Sequence, residues 1–187
     1  MNTPTQWLEE QTRLGRRIYL MLDSDGQLDV RNALTGELGA DLYRNLYSGT
    51  PADAMAHIGP HLFQLESITQ PLIQKLLRTP EHHWGWLASA NDGDLDALTT
   101  HWRERLVSGE PPHPTLYRFH DSRVLGRVLA CLRVQQHLCF LGPMLSVCYW
   151  QAEQWTLIDN LHPGLCSLPL DPEWLKQSVL EATCAGG

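Results

Sequence analysis

The stretch WGWLASANDGDLDALTTHWRERL, residues 84–106, carries the pattern that decides the fold. Its first part, 84–88, is a short apolar run that predicts a buried strand. The run Asn-Asp-Gly-Asp at 91–94 predicts a turn, because Asn, Asp and Gly favour turn conformations. Asp94 is expected to cap an amphipathic helix. The apolar stripe of that helix is formed by Leu95, Leu98, Trp102 and Leu106.

Short apolar strands and helices alternate along the rest of the chain. Further strands are predicted at 18–22, 62–65 and 116–119, with a hairpin formed by 144–150 and 154–158. Further helices are predicted at 4–14, 36–47, 51–57, 68–77, from 122 onward after an Asp121 cap, and at 171–180. This rhythm predicts the α/β class, a small sheet covered by helices, with an α+β arrangement left open. It does not specify the strand order.

The length of 187 residues suits one domain with a small appendage. Thr3, Pro4 and Gln6 have the spacing of a capping box followed by a first-turn proline. We therefore assign residues 1–16 to an N-terminal helix. Residues 17–150 are assigned to the main domain, and 151–187 to an extension of strand and helix.

Composition and charge exclude several classes of partner. The formal net charge is −7, which disfavours nucleic acid, since phosphate backbones demand concentrated positive charge. The longest uncharged apolar stretch, 138–150, is broken by Gly142-Pro143 and is too short to cross a membrane. The N-terminus lacks the apolar core of a signal peptide. The five cysteines show no C-x-x-C spacing, so we expect reduced thiols and a cytoplasmic location.

Motifs for metal binding and catalysis are weak. His57 and His61 have zinc-like spacing, but Pro60 between them would break the helix. The acidic runs 23–26 and 91–94 lack the Gly and Glu positions of a calcium loop and suit turns better. His120-Asp121-Ser122 holds the residue types of a hydrolase triad, but adjacent side chains do not converge. We predict no metal, no cofactor and no catalytic residue, with a hydrolase of dispersed residues as an alternative.

Two tryptophans stand out because they are two residues apart. On a strand, Trp84 and Trp86 would share one face. That face would either pack under a helix or belong to a groove for a partner, where tryptophan is a favoured anchor.

Three arginines surround Asp121. Arg123 and Arg127 are four apart and share a helix face, while Arg118 precedes the predicted helix. One interpretation is that Arg118 or Arg123 pairs with Asp121 and fixes the junction between strand and helix. The other is an arginine-rich surface for acidic groups or backbone carbonyls of a partner.

The run Arg118 to Leu125 resembles a family signature, R-F-[YH]-D-[PS]-R-V-L. His120 stands where Tyr is usual, and Ser122 where Pro is usual. Further similar elements occur in the family's order at 19–23, 46–49, 59–62, 84–85 and 140–143. Together they cover about residues 17–150. The chain thus resembles the type VI secretion adaptors known as Tap or Tec effector chaperones.

The resemblance implies a non-catalytic cytoplasmic protein that binds a cognate effector toxin and helps to load it onto the VgrG or PAAR spike. It sets no catalytic residues, and we expect no cofactor; the charge and the apolar span length already disfavour nucleic acid and a membrane as partners. An immunity-type protein that neutralises the toxin is a further alternative. Our candidates for partner binding, or for the junction beneath it, are Arg118, His120, Asp121, Arg123, Arg127, Trp84 and Trp86.

Overall fold

A sheet of six strands forms the centre of the protein. The computed structural model describes residues 3–91, 93–108 and 115–164. The strands of the sheet are β1 Arg17–Leu22, β2 Tyr43–Asn45, β3 His61–Leu65, β4 Gly85–Ala90, β7 Ser146–Gln151 and β8 Gln154–Asp159, and β5 Val107–Ser108 and β6 Thr115–Leu116 form a separate two-stranded ribbon. The sheet order is β2-β3-β1-β4-β7-β8. Each pair is antiparallel.

Helices cover both faces of this sheet. They are α1 Pro4–Arg13, α2 Leu28–Glu37, α3 Pro71–Arg78, α4 Leu95–Arg103, α5 Ser122–Cys131 and α6 Val134–Leu141. Side chains of α1, α2 and α3 pack on one face, and those of α4, α5 and α6 on the other. The predicted sheet covered by helices is confirmed, and the antiparallel pairing corresponds to the α+β arrangement that the sequence left open.

β1 shows why the sheet is apolar on both faces. Tyr19 and Met21 belong to the core cluster under α4 and α5, whereas Ile18, Leu20 and Leu22 belong to the cluster under α1, α2 and α3. Successive side chains of a strand point to opposite faces. A strand covered on both sides therefore needs a continuous apolar run, which is what residues 18–22 supply.

The antiparallel register brings three segments together at one end of the sheet. Leu22, the last residue of β1, lies opposite His61 at the start of β3 and opposite Gly85 at the start of β4. The chain after β1 therefore meets the chain before β4. This end of the sheet holds the candidate site described below.

Trp84 and Trp86 do not share a face, so that prediction is wrong. Trp84 packs in the cluster under α1, α2 and α3, and Trp86 in the cluster under α4 and α5. The cause is Gly85, whose φ of +133° departs from strand geometry and offsets the alternation at the start of β4. Both indoles are buried, at 2% and 0% exposure, so packing under helices is the interpretation that the structure supports.

The predicted helix at 36–47 is also wrong. Helix α2 ends at Glu37, and the chain then continues into strand β2. Leu38 and Leu46 have helical spacing, but each is buried against a different face of the sheet. The pairing of Tyr43 with Phe63, which places β2 beside β3 in the sheet, outweighs the helical spacing of these leucines.

Other local predictions have mixed outcomes. The capping box of Thr3 and Gln6 and the terminal hairpin are confirmed. Asp94 precedes α4 without capping it, since its Oδ2 accepts from the backbone N–H of Asn91. The strand predicted at 116–119 is reduced to the short β6. The helix predicted at 171–180 lies outside the described residues.

The hairpin of β7 and β8 crosses the domain boundary predicted at residue 150. Trp150 lies opposite Trp155, and β8 is the edge strand of the same sheet. Residues 154–159 thus continue the main sheet, and the division into three segments stays a prediction.

Candidate functional site

A buried carboxylate directly after β1 organises the site. Asp23 is 6% exposed, and its backbone N–H donates to the carbonyl of Trp84 at 2.8 Å. Its Oδ2 accepts from Nη2 of Arg118 at 3.1 Å. Its Oδ1 lies 3.8 Å from Nε2 of His120. Asp23 therefore ties the end of β1 to the start of β4 and to the segment before α5.

A second carboxylate, Asp121, fixes the start of α5. Its Oδ1 accepts from the backbone N–H of Arg123 at 2.9 Å, which confirms the predicted cap. The guanidinium of Arg123 donates Nη2–H to Oδ2 at 2.7 Å and Nε–H to Oδ1 at 3.0 Å. Asp121 thus pairs with Arg123, while Arg118 pairs with Asp23. We call the five residues Asp23, Arg118, His120, Asp121 and Arg123 the arginine–aspartate junction.

Trp86 holds the segment that carries the junction. Its indole N–H donates to the carbonyl of Phe119 at 2.9 Å. The Phe119 ring stacks on Trp102 of α4, with ring centroids 4.4 Å apart. Trp84 contributes its backbone carbonyl to Asp23. The two tryptophans therefore position the junction from inside the core.

Burial and ion pairing shift the pKa values of the junction residues in different directions. Burial raises the pKa of Asp23, although Arg118 works against this. Burial would also raise the pKa of Asp121, but the hydrogen bonds from Arg123 outweigh it and the pKa is lowered. Burial lowers the pKa of His120 to about 3, so the imidazole is neutral near pH 7. Its Nδ1 has no hydrogen-bond partner in the described part of the chain.

Arg127 stands apart from the junction. It lies one turn further along α5, is exposed, and makes no ion pair with any residue that the structure describes. Its charge acts on Tyr117, whose pKa is raised chiefly by burial. Of the three arginines predicted around Asp121, the structure therefore brings Arg118 and Arg123 into one carboxylate-bound site and leaves Arg127 outside it.

The triad-like residues 120–122 have three different surroundings. His120 faces Asp23, Asp121 holds Arg123, and Ser122 Oγ lies 3.3 Å from Nδ1 of His83. Ser122 is fully buried and His120 is 2% exposed, so neither is accessible to a substrate in this structure. The arrangement favours a structural role for this segment.

Sequence reasoning missed Asp23, which we had interpreted as a turn residue. Tyr47 was missed too; its ring lies 6.1 Å from that of His120, and burial raises its pKa to about 12. The only feature of the sequence that indicated a role for Asp23 was its position at the end of a buried strand. Its partner Arg118 is 95 positions away in the sequence, and the strand order that unites them is not readable from the sequence.

The junction presents two guanidinium groups that are held from beneath. The side chains of Arg118 and Arg123 are 50% and 59% exposed, whereas their nearest carboxylate partners Asp23 and Asp121 are 9% and 8% exposed. The exposed carboxylate of Asp25 also lies near Arg118, with its Oδ2 4.0 Å from Nη2. A guanidinium has five N–H donors, and each arginine uses only some of them here. The remaining donors suit carboxylates or backbone carbonyls of a partner polypeptide.

The described residues contain neither a group suited to a metal ion nor a helix suited to a membrane. Within 3–91, 93–108 and 115–164, no three His, Cys, Asp or Glu side chains come together in a group that could hold a metal ion. Across the same ranges, none of the helices has the length and apolar character that crossing a membrane requires.

The comparisons with known proteins agree with the motifs. A family model described as "Domain of unknown function (DUF4123)" matches residues 18–138, a range that contains the whole arginine–aspartate junction. No curated protein and no solved structure gives a significant match. Because the family match spans more than half of the 187 residues, the chain belongs to the DUF4123 family, the adaptor family of type VI secretion effectors.

Proposed function

We propose that this protein is a non-catalytic adaptor chaperone that binds a cognate type VI effector and helps to load it onto the VgrG or PAAR spike. Family membership supports the association with effectors. The observation that carries the binding role is the arginine–aspartate junction, where two half-exposed guanidiniums rest on buried carboxylates.

The junction suits recognition because its arginines are already held in place. Fixing a long side chain on binding costs about 0.5–1.5 kcal/mol. Asp23 and Asp121 restrict Arg118 and Arg123 before a partner arrives. We propose that these guanidiniums contact carboxylates or backbone carbonyls of the effector, and that His120, Trp84 and Trp86 support them from the core.

Replacing both junction arginines is expected to weaken effector binding. The double variant Arg118→Gln/Arg123→Gln should raise the Kd for the toxin encoded in the same gene cluster by at least about tenfold, as loss of a central charged contact does. Isothermal titration calorimetry with the purified toxin measures the change. The double variant Lys75→Gln/Arg78→Gln is the control, since both residues are exposed on α3 and their replacement also removes two positive charges.

A second variant separates binding from folding. Arg123→Lys keeps the positive charge beside Asp121 but loses the planar donor fork. We expect a near-wild-type melting temperature and a raised Kd, and a smaller effect for Arg127→Gln. Junction variants that keep both the wild-type melting temperature and the wild-type Kd would remove the junction from the binding surface.

A further inference from the structure

A second surface lies at the opposite end of the sheet from the arginine–aspartate junction. There α1, the start of β7 and the end of β8 enclose a groove of about 520 Å³. We call it the distal groove, lined by Trp7, Glu10, Leu14, Leu157, Asp159 and Leu161 among others. Leu157 on the edge strand β8 is only partly buried against the core cluster that α1, α2 and α3 cover. The helical layer on this face therefore leaves part of β8 accessible beside α1.

The rim of the distal groove exposes apolar side chains. Leu161 is 73% exposed and Leu14 is 50% exposed, the two highest values for large hydrophobic residues in the described part of the chain. Both line this groove. Exposed apolar residues that line one concavity are a common feature of sites for another polypeptide.

The charged groups of the distal groove are mainly acidic. Glu10 and Asp159 are exposed, and neither forms an ion pair with a described residue. Arg16 supplies one positive charge at this groove, and its Nη1 donates to Oε1 of the neutral Gln11 at 2.7 Å. The groove thus offers two carboxylates next to an apolar rim.

We infer that the distal groove binds an amphipathic helix of the effector, with an apolar stripe between Leu14 and Leu161 and basic residues facing Glu10 and Asp159. A helix laid beside α1 over β8 would continue the layer at the usual spacing of packed helices, about 8–10 Å. Helix-in-groove binding uses apolar anchors at positions i, i+3, i+4 and i+7. This inference rests on the proposed adaptor function and names the chemistry of the bound segment.

The bound segment can be identified with overlapping 20-residue peptides from the toxin of the same gene cluster. Fluorescence anisotropy measures the binding of each peptide to the full-length protein. We expect binding by peptides that combine the apolar spacing with Lys or Arg. Leu161→Asp and Asp159→Lys should each weaken that binding roughly tenfold. Leu28→Asp is the matched control, because Leu28 is 42% exposed and lies outside the groove.

If a segment of this chain or a second copy of it occupied the distal groove, the measurements would differ. If Leu161→Asp lowers the melting temperature of the isolated protein far more than Leu28→Asp does, the groove holds part of this chain and the inference fails. If the wild type is a dimer that Leu161→Asp converts to a monomer, a second copy occupies it and the inference also fails. If the wild type binds the whole toxin and Leu161→Asp binds it equally well, the groove inference is wrong while the adaptor function stands.

Discussion

Replacing Gly85 by alanine is expected to destabilise the protein by about 4 kcal/mol or more, in the range reserved for strained or overpacked sites. A Cβ at this position would lie 1.9 Å from the backbone oxygen of Met21, and φ is +133°. The obstacle is backbone of the adjacent strand, so no side-chain rotation relieves it. Urea unfolding followed by tryptophan fluorescence measures the loss.

Gly26→Ala is the matched control for Gly85→Ala. Gly26 also has a positive φ, +87°, but no atom lies within 4 Å of its would-be Cβ. Only the left-handed backbone penalty remains, about 1 kcal/mol. Equal losses in the two variants would show that the close approach of β1 and β4 is not what requires glycine at position 85.

Acid is expected to destabilise the protein strongly below pH 6.5. Burial lowers the pKa of His61 to about 4, and those of His101 and His120 to about 3. The unfolded chain therefore takes up protons at these three sites before the folded chain does. Their contribution to stability is complete above pH 6.5 and is lost as the pH falls through 4 for His61 and through 3 for His101 and His120. By linkage, each group costs about 2 kcal/mol at pH 5.

Two other groups modify this acid loss. Burial raises the pKa of Asp23, so its contribution is retained in acid and lost as the pH rises through the raised value. The pKa of Asp121 is lowered, so Asp121 adds to the loss in acid. Unfolding free energies from urea titrations between pH 3 and pH 8 measure the net effect.

One histidine variant isolates the contribution of the junction to the acid loss. His120→Asn removes one buried imidazole, and the difference in stability between pH 8 and pH 5 should shrink by about 2 kcal/mol. His82→Asn, at an exposed position, should leave that difference as it is in the wild type. A pH profile that His120→Asn does not alter would contradict burial of a neutral imidazole beside Asp23.

The sequence predicted those contacts of the site that form between residues close together in the chain. Asp121 caps its own helix, and Arg123 is two residues away, so the signature run at 118–125 contains both partners. The amphipathic α4 and the apolar β1 were predictable for the same reason. In each case neighbouring residues determine the contact.

What the sequence did not predict depends on strand order and on close approach of backbones. Asp23 meets Arg118 because β1 and β4 are adjacent and the segment before α5 crosses their ends. Trp84 and Trp86 pack on opposite faces of the sheet because Gly85 has a φ of +133°. Only glycine fits there, since a Cβ would clash with the backbone oxygen of Met21. Both effects arise from residues far apart in the chain, which periodicity does not record.

The central claim is that the protein acts by holding another polypeptide, with no bond made or broken. The most direct test is to co-express it with the toxin of the same gene cluster, then examine the eluted species by size-exclusion chromatography and intact-mass spectrometry. The claim predicts a stable complex in which the toxin keeps its unmodified mass. Separate elution of the two proteins, or a toxin whose mass changes when this protein is present, would contradict it.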